Sequence, residues 1–139
     1  MKFKTYSTHI LALAGFILMT LGLYFIFIRP ALLPEDLRYM RGTLQNVNEN
    51  LPGISRWLAN VFKVLGGYIF TTGLLTIYIS YTAFRMRLSG VFILVAIGGI
   101  TSIGLMVSVN FMINSDFRWV LLTFTTPWIM SLILYRLGK

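Results

Sequence analysis

The sequence predicts an all-α fold, an integral membrane four-helix bundle with an amphipathic helical loop between its first and second spans. Three observations carry that expectation. Of the 139 residues, 57% are hydrophobic and only 12% are charged, against about 25% charged in a soluble domain. Four apolar stretches each reach the roughly 20 residues that a membrane-crossing helix needs. The basic residues punctuate these stretches, as they do in membrane proteins, rather than cluster on one polar face.

Lys and Arg number twelve against four acids, Glu35, Asp36, Glu49 and Asp116, for a net charge of +8. Because that charge sits at the ends of apolar runs, it marks membrane topology, and no nucleic-acid partner is expected. There is no cysteine and a single histidine, His9, so a disulfide framework, a thiolate nucleophile, a Cys-type zinc site and a bis-histidine haem are excluded within one chain. No metal site and no cofactor is implied. The chain reads as one transmembrane domain over residues 1–139.

The first span covers about 9–28 and stops at Arg29-Pro30, where a charge and a missing N–H end the helix. Lys2 and Lys4 ahead of it resemble the basic region of a signal peptide, but the apolar run is long and no small-x-small cleavage site follows. A retained anchor is expected.

The segment 33–51 comes next. Leu33, Leu37, Met40, Leu44, Val47 and Leu51 recur at alternating spacings of four and three, which places them on one side of a helix. Pro34 in the first turn, followed by Glu35 and Asp36, starts a helix well, because the proline N–H is not needed there and the acids face the positive end of the dipole. Leu51-Pro52-Gly53 ends it, and Gly42 leaves open whether it is one helix or two. The expected element is an amphipathic lid at the membrane surface. In a sharper reading it is a cap whose Arg38, Tyr39 and Arg41 meet a phosphate or another anion, since guanidinium groups pair with phosphate in a fork.

The second span, about 57–84, carries Lys63 and ends at Arg85 and Arg87. An ionisable group inside a span is costly and by default points to function. Asn60, Lys63, Gly67, Thr71, Tyr78 and Tyr81 share one face of this helix. With Asn110 on the third span, Tyr24 on the first, Asp116 above them and Glu35, Asp36 or Glu49 closing over, they outline a polar vestibule; the plainer alternative is that Lys63 snorkels to the interface or makes one structural salt bridge. Another face of span two carries Ala59, Gly66, Gly73 and Ser80, a small residue every seven positions, and span one offers Gly15 and Gly22. Small residues let helices approach closely, within this bundle or between copies.

The third span covers about 89–113. Asn114-Ser115-Asp116 supplies turn and cap chemistry for the fourth, about 117–135, in which Pro127 frees the carbonyl of Thr123 and predicts a kink. An even number of spans puts both termini on one side. That side carries Lys2, Lys4, Arg85, Arg87, Arg136 and Lys139, against Arg29, Arg38, Arg41, Arg56 and Arg118 on the other, so cytoplasmic termini are expected.

The stretch from Leu33 to Met40, Leu-Pro-Glu-Asp-Leu-Arg-Tyr-Met, followed by Trp57-Leu58 and the run Val61 to Gly67, resembles small four-helix bacterial membrane proteins that carry no assigned activity. The resemblance spans about half the chain and implies a bacterial inner-membrane location with this topology. In addition, Asn46-x-x-Glu49-x-x-Pro52 is similar to a motif of the membrane-associated eicosanoid and glutathione metabolism proteins, basic four-helix proteins that form trimers. That resemblance implies that Asn46 and Glu49 contact glutathione between subunits. The motif of that family lies in its second helix, whereas here the second span begins after Pro52-Gly53.

No catalytic triad is readable, and no carboxylate lies within a span, where a proton-coupled transporter usually places one. The expected function is therefore an accessory or lipid- or small-ligand-binding module. Its candidate ligand residues are Lys63, Asn60, Asn110, Asp116, Glu35, Asp36, Arg38 and Arg41. The expected partners are membrane lipid and, beyond it, a membrane protein or a second copy. A glutathione-dependent membrane enzyme is the alternative.

Overall fold

In a computed structural model of the chain, residues 2–138 are described, with side chains from residue 5 onward. Six helices follow in order: α1 (Lys2–Phe27), α2 (Pro34–Met40), α3 (Leu44–Asn50), α4 (Ile54–Phe84), α5 (Val91–Met112) and α6 (Arg118–Leu137). Helices α1, α4, α5 and α6 are long and apolar enough to cross a membrane. The protein is an all-α membrane four-helix bundle, with α2 and α3 forming the connection between its first two spans.

The helix ends follow local chemistry. α1 closes as the N–H groups of Ile28 and Arg29 both donate to the Tyr24 carbonyl, at 2.9 and 2.8 Å, before Pro30 prevents continuation. The 33–51 stripe is two helices. Arg41 takes a left-handed φ of 55° at the end of α2, and the Thr43 hydroxyl accepts from the Asn46 N–H at 3.2 Å to start α3. The single stripe is therefore interrupted: Leu37 and Val47 are half-buried, while Met40, Leu44 and Leu51 are exposed.

Glycines decide which spans meet. A Cβ on Gly73 would lie 2.5 Å from the Gly15 carbonyl oxygen, and one on Gly66 would lie 2.8 Å from that of Gly22. The seven-residue spacings of the two antiparallel helices therefore interlock pairwise, and α1 packs directly on the backbone of α4. α1 also packs on α6, and α6 on α5, where Trp128 lies over Gly99 and its indole N–H donates to the Val95 carbonyl at 2.9 Å. The core between them contains Leu11, Leu18, Phe84, Val95, Ile103 and Trp128.

Two spans carry a π turn not expected from the pattern, at Ser80–Phe84 in α4 and Ile100–Gly104 in α5. Such turns insert one residue and rotate the faces beyond them. α6 runs unbroken through Pro127, and the Thr126 hydroxyl donates to the freed Thr123 carbonyl at 2.7 Å. Thr123 and Thr125 likewise back-bond, to Val120 and Leu122.

α4 and α5, although joined by a short turn, meet mainly where the π turn of α4 faces the start of α5. Toward the α1–α4 connection they diverge. The bundle therefore has a tight end at the 85–90 turn and an open end beneath α2.

Candidate functional site

The divergence leaves a cavity of about 790 Å³ bounded by all four spans and roofed by the start of α2. That volume lies within the roughly 300–1,000 Å³ range of small-molecule sites. Its walls are largely apolar, from Leu18 and Phe25 of α1 through Phe62 of α4 and Met106 of α5 to Phe124 of α6. Tyr68 and Leu65 on α4 and Leu105 and Val109 on α5 line the cavity and are also exposed, Tyr68 by 71%. The cavity thus opens sideways between α4 and α5, as a crevice facing the surroundings of the spans.

The charged groups lie at the roof. Pro34 and the acids behind it start α2, and this puts Glu35 on the inner side, 3% exposed. Glu35 Oε1 accepts from the hydroxyl of Ser115, which is fully buried in the α5–α6 turn, at 3.1 Å. The same Ser115 oxygen accepts from the N–H of Phe117 at 3.1 Å, so the turn that begins α6 also positions the donor. Beside Glu35, Asp36 Oδ2 accepts from the N–H of Leu33 at 2.9 Å and from Arg29 at 3.2 Å. The Arg29 guanidinium carbon lies 3.5 Å from the centroid of the Phe62 ring, and the group donates a further hydrogen bond to the Pro30 carbonyl at 2.9 Å.

Three of the residues singled out from the sequence, Glu35, Asp36 and Asn110, line this cavity, and so does Tyr24. Arg38 does not; it spans the outside of the roof to Asp116 at 2.9 Å and to the Asn114 carbonyl at 3.4 Å, latching α2 to the α5–α6 turn. Arg41 is exposed at the end of α2. Asn46 and Glu49 are exposed on α3, where Glu49 accepts from Gln45 at 2.8 Å, and neither lines the cavity.

Lys63 and Asn60 are exposed and absent from the cavity wall. The polar face of α4 turns outward: Thr71, Tyr78 and Tyr81 are exposed, and a Cβ on Gly67 would meet nothing within 4 Å. Lys63 also sits less deep than counting from the start of its span suggests. α4 has 31 residues, about 46 Å at ~1.5 Å per residue, and its neighbour Phe62 packs on Arg29, just past the end of α1. The register of the two helices therefore brings Lys63 to the level where the first span terminates, and the first turns of α4 rise above it.

Arg29 and Ser115 were the residues missed. Arg29 reads in sequence as a helix stop and Ser115 as a turn residue; only their packing reveals the roof. Comparison with protein-family models, curated proteins and solved structures finds no match to this chain.

Proposed function

We propose that this protein is a membrane-embedded binding module that holds the apolar chain of a lipid or other amphiphile in the crevice between α4 and α5. The observation that supports this reading is the joining of an apolar, sideways-open cavity to a polar roof formed by Glu35, Asp36 and Arg29. A crevice open at the level of the spans admits a molecule already dissolved in the bilayer, whose chain loses little by leaving lipid. Selectivity then falls to the head group at the roof. The proposed setting is a bacterial inner membrane with both termini cytoplasmic. Supporting it are the resemblance of the Leu33–Gly67 region and the count of basic residues, six at the terminal end against five at the loop end. The roof would then lie at the outer surface.

Gly98 supplies the test. It lines the cavity, and a Cβ there would only touch Trp128 at an ordinary 3.8 Å. Gly98→Leu should place its side chain in the crevice and compete there with a bound chain, because the first added carbon meets no close contact. Native mass spectrometry of protein released gently from membranes should show a retained amphiphile on the wild type and less of it on Gly98→Leu. Equal retention by a folded Gly98→Leu protein would sink the proposal.

A further inference from the structure

We infer that the head group taken at this roof is an ammonium, so that the ligand is an amphiphile with a protonated amine; this rests on the crevice reading above. The first observation is charge. Three charged side chains line the cavity, Arg29, Asp36 and Glu35, and Arg29 is committed to Asp36, the Pro30 carbonyl and the Phe62 ring. Glu35 is left without a cation: among the described residues its one hydrogen bond is from Ser115, and it makes no ion pair. A carboxylate 97% removed from solvent with no opposite charge is costly to hold, and a bound cation relieves that cost.

The second observation is the direction of the hydrogen bonds. Several side-chain donors along the cavity are engaged within their own helices. Asn110 Nδ2 donates to the Met106 carbonyl at 2.8 Å, Ser102 to Gly98 at 2.5 Å, Thr101 to Ile97 and Thr72 to Tyr68 at 2.8 Å each. Acceptors remain at the roof: the second carboxylate oxygen of Glu35 and the side-chain oxygen of Asn110, whose own backbone carbonyl accepts from Ser115 at 2.9 Å and so lies directly beside the Glu35 tether. A buried carboxylate oxygen beside an amide oxygen, with no cation on the carboxylate, suits a head group that presents a cationic donor to it. An ammonium carries three donors and no acceptor, whereas a phosphate or carboxylate head would bring acceptors against Glu35.

The amine can belong to a free lipophilic amine or to an aminophospholipid head group. Thermal unfolding of the full chain in neutral maltoside micelles, titrated with dodecylammonium, dodecanol or dodecanoate, tests the head group, because the three probes share one chain length. Dodecylammonium should raise the wild-type midpoint and bind at least about tenfold more tightly than either other probe. Glu35→Gln, which keeps an acceptor for Ser115, should bind dodecylammonium and dodecanol alike. Gly98→Leu should respond more weakly to all of them.

A wild type that prefers dodecanoate or dodecanol, or a Glu35→Gln protein that keeps the ammonium preference, would overturn the inference while leaving the crevice reading standing. Identical responses of wild type and Gly98→Leu to all three probes would overturn both. If Glu35→Gln does not fold, the ranking of the probes on the wild type still decides. Repeating the measurement in nanodiscs with and without phosphatidylethanolamine separates the sources. Stabilisation by that lipid, lost in Glu35→Gln, supports a lipid head group, and stabilisation by dodecylammonium alone supports a free amine.

Discussion

Glu35, near the start of α2, accepts a hydrogen bond from Ser115 in the α5–α6 turn, and 80 residues of chain separate the two. Both are buried. The contact fastens the first interhelical connection to the last one across the open end of the bundle. It makes the roof of the crevice a product of the whole fold rather than of one segment.

Ser115→Ala removes the donor from a buried carboxylate and the cap from the Phe117 N–H together. A buried acceptor left unpaired costs about 1–3 kcal/mol, more when it is charged. Denaturant unfolding in mixed micelles should show a loss of at least that size. A loss no larger than that of an exposed control such as Ser89→Ala would show that the tether contributes nothing.

Arg29 and Asp36 are both largely buried as an ion pair, with side-chain exposures of 8% and 20%. Arg38 and Asp116 form a second pair among the described residues, at 52% and 65%. Double-mutant cycles should therefore separate them. Coupling at the first pair is expected within about 0.5–3 kcal/mol. The second should give no more than about 1 kcal/mol and weaken further with added salt.

The α1–α4 contact makes a sharp positional prediction. Gly73→Leu drives a side chain into the Gly15 carbonyl and the Met19 backbone and should prevent correct packing of the spans, read as loss of the monodisperse species on size-exclusion chromatography. Gly67→Ala, one residue from the close-packed Gly66, meets open space. It should be tolerated and should gain up to about 1 kcal/mol from helix propensity.

Trp128 ties α6 to α5 twice, by its indole N–H on the Val95 carbonyl and by its ring on Gly99. Trp128→Phe should cost about 1 kcal/mol for the hydrogen bond plus the packing of the lost ring atoms. Gly99→Ala should be worse than Gly98→Ala, because a Cβ on Gly99 runs into the indole whereas one on Gly98 only touches it. Comparable midpoints for the two alanine variants would contradict this arrangement.

Much of the architecture was legible in the residues. Four long apolar runs separated by charge and by Pro or Gly leave no alternative to four spans, because only a helix satisfies its own backbone within one apolar segment. The glycine pairs at 15 and 22 and at 66 and 73 are likewise readable as close-approach sites, since a seven-residue repeat holds one face of a helix over two turns. Glu35, Asp36 and Asn110 were recognisable as polar groups near one end of the spans.

Which polar groups converge was decided only by tertiary packing. Lys63 is the most conspicuous residue of the second span, yet the helix face carrying Gly66 and Gly73 turns to α1, and this rotates Lys63 outward. The register of the same contact sets it level with Arg29. Ser115 and Arg29 became part of the roof because α2 folds back over the diverging ends of α4 and α5. Composition and periodicity report how each segment partitions between water and lipid, a property of the segment alone. Helix rotation, register and the space left between two spans depend on how side chains of different segments fit together, and that information exists only once the helices are packed.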